Sequence, residues 1–133
     1  MLVVDSSVWI DFFGGRSNPG RAVLRQLLGE GEVRVIVPDL VLFEVLRGFR
    51  GESEFRQVRL LMESLSVEAA GGEDLALEAA RHGRELRSRG VTVRSAVDVL
   101  VATFCIQRGY ALLHHARDFD AFERWRGLKV WRH

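Results

Sequence analysis

Cysteine occurs once in this chain of 133 residues, at Cys105, so no intrachain disulfide can form and no cysteine cluster can bind zinc. Flanked by Phe104 and Ile106, it reads as a buried thiol of a reducing compartment rather than a nucleophile. Proline occurs only twice and 47% of the residues are hydrophobic, which excludes a disordered or low-complexity chain. No apolar run approaches the ~20 residues of a membrane span and no signal peptide precedes the first strand, so a soluble cytoplasmic protein is expected. Lysine is nearly missing: eighteen of the nineteen basic residues are Arg, Lys129 being the exception. Arginine is the better fork for phosphate and carboxylate. The accompanying Ala, Val and Gly also match a GC-rich coding bias, however, and a net charge of +1 argues neither for nor against nucleic acid. The length fits one domain, residues 1–133.

What is present is an alternation of apolar runs and helical patterns. Leu2, Val3 and Val4 form a short run fit for a strand buried on both faces. It stops at Asp5, and a helical pattern over residues 8–13 follows, with Ser6 or Ser7 as its expected N-cap. Asp5 thus stands at a strand's C-terminal end, where open α/β sheets bind ligands. Asn18-Pro19-Gly20 turns the chain into a helix carrying Leu24, Leu27 and Leu28. Residues 33–37 read as a second strand closed by Pro38, with Asp39 expected to cap a helix running to Gly48. A helix is expected over residues 54–65, a short edge strand at Ser66–Glu68 and a polar helix at Glu73–Ser88. The most apolar helix is placed at residues 95–108, followed by a strand at 110–113, a polar loop through Asp120 and a last edge strand at 128–131. Such alternation predicts an α/β fold, a parallel sheet with helices on both faces.

Four acids keep unusual company. Asp5 ends the first strand, and Glu44 lies within Leu40-Val41-Leu42-Phe43-Glu44-Val45-Leu46. Asp98 lies within Ala96-Val97-Asp98-Val99-Leu100-Val101-Ala102, and Asp118 follows the strand that ends at Leu113. Acids are seldom buried unless paired or bound to metal. Two carboxylates about 5 Å apart repel by roughly 3 kcal/mol at an effective dielectric of 20, so such a cluster needs a cation or shared protons. All-oxygen ligands favour Mg²⁺ or Mn²⁺ over zinc. The plainer alternative pairs Glu44 with Arg47 and Asp98 with Arg94 along their own helices.

The ordered set formed by Leu2-Val3-Val4-Asp5-Ser6-Ser7-Val8-Trp9-Ile10-Asp11, Phe43-Glu44-Val45-Leu46-Arg47-Gly48, Asp98-Val99-Leu100-Val101-Ala102 and Leu112-Leu113-His114-His115-Ala116-Arg117-Asp118-Phe119 resembles the PIN-domain nucleases. More narrowly, it resembles the VapC toxins of bacterial toxin–antitoxin pairs. The resemblance implies a PIN-like parallel sheet flanked by helices and Mg²⁺- or Mn²⁺-dependent endoribonuclease activity on a structured RNA such as tRNA or rRNA. It also implies a VapB-type antitoxin partner and a homodimer, or a heterotetramer or octamer with the antitoxin. By the same resemblance Asp5, Glu44 and Asp98 match the three core acids and Asp118 the more variable fourth. Ser7 matches a small polar position that orients the first Asp or a metal-bound water. Ala116 departs from the Thr, Asn or Asp of many relatives, which leaves open whether Asp118 or Asp120 completes the site. Asp11 recurs in relatives, and on the first helix it can simply pair with Arg.

Weaker signals surround this set. Arg81, Arg84, Arg87 and Arg89 form a basic band that is either an RNA track or a solvated face balanced by Glu78 and Glu85. Arg21, Arg25 and Arg47 are further candidates for RNA phosphates. His114 and His115 read as exposed loop residues, and Trp9 and Phe13 as core with a share in an antitoxin groove. Two other classes fit parts of the pattern. One is a catalytically silent PIN module acting by partner binding. The other is a Mg²⁺-binding receiver-like signalling domain, which lacks here its acidic pair and strand-end Lys.

Overall fold

The structure, a computed structural model, describes residues 1–132; His133 lies outside them. Strands β1 (Leu2–Val4), β2 (Val35–Pro38), β3 (Ser66–Glu68), β4 (Ala111–Leu113) and β5 (Lys129–Val130) form one five-stranded sheet in the order β3-β2-β1-β4-β5. Every pairing is parallel. Central β1 pairs with β2 on one side and β4 on the other, and Leu2, Val3 and Val4 are all fully buried. Successive strand residues face opposite sides, so both faces are covered, which is why β1 is a continuous apolar run.

The covering helices are α1 (Ser6–Gly14), α2 (Pro19–Glu30), α3 (Asp39–Leu46), α4 (Glu52–Glu63), α5 (Glu73–Ser88), α6 (Ala96–Arg108) and α7 (Asp120–Arg126), with a 3-10 turn at Arg117–Phe119. No helix among the described residues is long and apolar enough to cross a membrane. The core gathers Trp9, Leu24, Ile36, Met62, Phe104, Phe119 and Phe122 around the sheet. Trp9 is fully buried and stacks on Phe13 at 5.7 Å, so it belongs to the core and offers nothing to a partner groove.

Two expected caps fall elsewhere. Asp5 itself caps α1: its carboxylate accepts from the Ser7 backbone N–H at 3.4 Å, while Ser6 and Ser7 are already helical. The strand ends so close to the helix that the last extended residue must serve both elements. Pro38 occupies the cap position of α3 and makes no side-chain bond there, so Asp39 lies in the first turn instead. Its Oδ1 accepts from the Ala70 backbone N–H at 2.9 Å and ties down the segment after β3. Helix α7 occupies residues expected to be partly loop.

The strand order places a crevice. From β1 the chain builds outward through β2 and β3, then crosses to build β4 and β5 on the other side. The order therefore reverses between β1 and β4, and the C-terminal ends of those strands open the crevice where such sheets bind ligands.

Candidate active site

Asp5 and Asp118 enter this crevice from its two walls, Asp5 directly after β1 and Asp118 in the turn after β4. The Asp5 backbone N–H bonds the Leu113 carbonyl at 3.0 Å, holding the two strand ends together. Glu44 comes from α3 and Asp98 from the first turn of α6, two helices in contact. Ser95 caps α6 by accepting from the Asp98 backbone N–H at 3.3 Å. A carboxylate in that first turn is favoured by the partial positive charge of the helix end.

Hydroxyl groups hold two of the acids. Ser7 Oγ donates to Asp5 Oδ2 at 2.5 Å, and Ser6 Oγ donates to Glu44 Oε1 at 2.6 Å. The first contact is the one expected of Ser7. The second went unseen in the sequence, where Ser6 read only as a cap. A hydroxyl beside a strand-end acid is the one signal that could have drawn attention to it.

Electrostatics unite the four acids. Asp98 is raised from 3.8 to about 6, first by burial and then by the charges of Asp5, Glu44 and Asp118. Asp120 is not among the charges acting on Asp98; it is exposed and acts on His114 instead. The plainer helix pairings do not form: among the described residues no Arg, Lys or His lies within 4.0 Å of Asp5, Glu44, Asp98 or Asp118. Arg47 lies over the Phe43 ring at 5.6 Å. Asp11, Glu52, Glu63, Glu78, Glu85, Glu68 and Glu123, by contrast, each meet a cation or His. What sets the crevice acids apart is that three of them act together on the fourth.

The donor set is all oxygen, which suits a hard divalent ion. Among the described residues, no three His, Cys, Asp or Glu side chains are gathered closely enough to grip an ion directly. Magnesium keeps several of its waters and takes only one or two carboxylates, so an open ring of acids fits it better than it would fit zinc or calcium.

The remaining sequence candidates are dispersed. Arg21 and Arg25 line a hollow of about 290 Å³ with Ser17 and Asn18 on α2. Arg81 and Arg84 line another with Arg126, and Arg81 is paired with Glu78. Of the two histidines of the β4 loop, His115 is an exposed loop residue as expected, whereas His114 is not. His114 is half-buried against Phe119, its Nδ1 accepts from the Ala116 N–H at 3.2 Å, and its Nε2 has no partner among the described residues. Burial lowers its pKa, opposed chiefly by Asp5. His115 Nε2 meets Asp11 Oδ2 at 3.2 Å. Cys105 is buried, its pKa raised first by burial and then by Asp5, as expected of an inert core thiol.

The PIN domain model matches residues 2–124. The chain is 28% identical to ribonuclease VapC11 of Mycobacterium tuberculosis over 131 residues, 98% of this chain and 97% of the relative. It superposes on DNA-bound VapBC from Salmonella typhimurium with a TM-score of 0.77 at 18% identity, covering 98% of this chain and 96% of that one. It superposes on Mycobacterium tuberculosis VapC20, a sarcin-ricin loop cleaving toxin, with a TM-score of 0.73 at 19% identity over 100% of both chains. At those identities the superpositions establish the fold, in agreement with the sheet order. The chain belongs to the PIN-domain family and is a homologue of the VapC ribonucleases of VapBC toxin–antitoxin systems.

Proposed function

We propose that this protein is a metal-dependent endoribonuclease toxin that hydrolyses a phosphodiester in a loop of a structured RNA, a tRNA or an rRNA, and is silenced by a VapB-type antitoxin. We further propose that residues 1–133 make a single PIN domain. The observation that carries the activity is Asp98, held in the field of Asp5, Glu44 and Asp118 with no cation within 4.0 Å of them among the described residues. Asp5, Asp98, Glu44 and Asp118 would hold the Mg²⁺ or Mn²⁺, one or two directly and the rest through its waters. When bound, such an ion supplies Lewis acidity toward a phosphate oxygen and lowers the pKa of an attacking water.

The chain's own contribution is orientation. Ser7 fixes one Asp5 oxygen and leaves the other for the crevice, and Ser6 does the same for Glu44. Asp118 rather than Asp120 is supported as the fourth acid, because only its charge reaches Asp98. No side chain serves as covalent nucleophile: the lone thiol is buried, and His114 Nδ1 is engaged by backbone. Hydrolysis by water leaves a 5′-phosphate and a 3′-hydroxyl. The acids themselves repel phosphate, and only through the ion they would hold does the crevice engage the backbone rather than base edges, so RNA shape and splayed loop nucleotides set specificity. The sarcin-ricin loop cleavage attributed to VapC20 is consistent with such a target.

Brief induction followed by end-mapping of total RNA tests this reading. Expected are discrete 5′-phosphate ends, growth arrest, rescue by the adjacent antitoxin frame, and loss of cleavage with EDTA or Asp5→Ala. Cyclic-phosphate ends, or cleavage indifferent to EDTA, would falsify the mechanism. Equal growth with and without the antitoxin frame, with soluble protein verified, counts against the toxin role.

A further inference from the structure

A basic face lies away from the acids where α5 meets α7. Arg126 is fixed there from behind: its Nε donates at 2.8 Å to Nδ1 of His82, a residue only 5% exposed. Accepting that bond requires a neutral ring at Nδ1, and burial together with Arg126 lowers the His82 pKa in the same sense. The imidazole therefore orients the guanidinium without neutralising it. A guanidinium held at Nε keeps its two terminal nitrogens for a ligand.

Arg126 lines a hollow of about 360 Å³ together with Arg81, Arg84, Glu85 and Ser88. Its one carboxylate, Glu85, is bonded to Arg89 at 3.1 Å, and Arg81 is paired with Glu78. Arg84, Arg87 and Arg126 have no carboxylate within 4.0 Å among the described residues. Beside them the Trp125 ring carries Arg89 at 5.3 Å and Arg124 at 4.8 Å. Interleaved arginine and aromatic side chains suit nucleic-acid strands.

The hollow also leads somewhere. It shares Arg84 and Ser88 with a second one lined by Arg84, Arg87 and Ser88. That one shares Arg87 with a third, lined by Gly83, Arg87, Val91, Thr92, Val93 and Val99. Val99 is the residue after Asp98. Hollows that share lining residues thus run from the fixed Arg126 toward the first turn of α6, the turn that carries Asp98.

We infer that this α5–α7 face is a backbone-phosphate site for the RNA substrate, with Arg126 as its preset fork and Arg84 and Arg87 as mobile partners. It anchors a segment of RNA remote from the cut and directs the strand along the hollows to Asp98. The inference rests on the ribonuclease reading for the identity of the polyanion. The free arginines favour a polyanion, and the path toward the acids favours one that must reach them.

The test measures anisotropy of a fluorescein-labelled RNA hairpin with the full-length protein in EDTA, across a series of KCl concentrations. Arg84→Ala/Arg126→Ala is expected to lower the magnitude of the slope of log K against log salt by roughly 1.4–1.8, and to weaken binding roughly tenfold or more. Arg84→Ala/Arg87→Ala alters surface side chains only and should give a comparable loss, so a folding defect at Arg126 does not decide the outcome. Arg56→Ala/Arg59→Ala on α4 removes the same charge elsewhere and should have little effect. Unchanged slopes in the first two variants, or an equal loss in the third, overturn the site. Poly-glutamate binding as tightly as the hairpin and losing as much in the variants would identify an acidic protein ligand and overturn the RNA assignment. Cleavage assays in Mg²⁺ run in parallel keep the two readings apart. Cleavage unaffected by the variants removes this site alone, and site-dependent binding without any cleavage removes the ribonuclease reading alone.

Discussion

Asp98 carries the tension of the site. Its rise from 3.8 to about 6 means that between those values the folded protein holds a proton the unfolded chain has released. Stability from this group is therefore greatest at low pH and falls as pH rises through that window, the opposite of an ion-paired acid. Taken in full the rise corresponds to about 3 kcal/mol. Water reaching this half-buried carboxylate reduces it to about 1–2 kcal/mol. Asp98→Asn keeps the shape and removes the charge. In metal-free buffer it is expected to gain about 1–2 kcal/mol over the wild type near neutral pH, to gain almost nothing near the acid end of the window, and to lose cleavage. Urea denaturation at the two pH values reads the difference. A variant no more stable at neutral pH would mean that the four acids do not share a field.

The elements that could be read from sequence are those whose pattern is set locally. The continuous run of β1 follows from burial on both faces, and α5 is bounded as expected because Gly72 and Gly90 take positive φ beside its ends. Helix α7 was hidden. It is short and has no side-chain N-cap bond, and Phe122 becomes a buried face only when docked near His82 of α5. The acids of the crevice were legible because carboxylates stand out in apolar helices. Ser6 and His82 were not, because a hydroxyl or an imidazole declares its partner only in three dimensions. The junction of α1, α2 and the β4 loop is of that second kind. Asp11 Oδ2 takes Asn18 Nδ2 at 3.0 Å and His115 Nε2 at 3.2 Å, with Arg16 at 3.9 Å from Oδ1. Asn18 also caps α2 through the Arg21 N–H at 2.8 Å. Asp11→Ala is expected to cost about 0.5–1.5 kcal/mol in chemical denaturation, since it removes the acceptor of the half-buried Asn18 amide while the exposed His115 can turn to water. It should also loosen the loop that carries Asp118 and lower cleavage. A stability change near zero would show that this junction is held by packing alone.

At the scale of the molecule, the sheet order brings four distant segments into one electrostatic neighbourhood, with no cation within 4.0 Å of their acids among the described residues. Nearly every other acid with a close cation has it on the periphery, where such pairs contribute little. The crevice is thus a place where the folded chain, and not the unfolded one, gathers negative charge, so a divalent ion should bind the native state selectively. Selective binding stabilises by RT ln(1 + [L]/Kd), about 2.7 kcal/mol at a hundredfold excess over Kd. For a chain of 133 residues that corresponds to a rise in Tm of roughly 6–12 °C. Mg²⁺ or Mn²⁺ should produce it, and KCl at matched ionic strength should not, because screening weakens repulsion without occupying the crevice. The increment should shrink sharply in Asp98→Asn, which starts without the charge that the ion relieves. A melt that rises equally with KCl, or that rises as far in Asp98→Asn as in the wild type, would place the ion elsewhere on the protein and remove these four carboxylates from the proposed metal site.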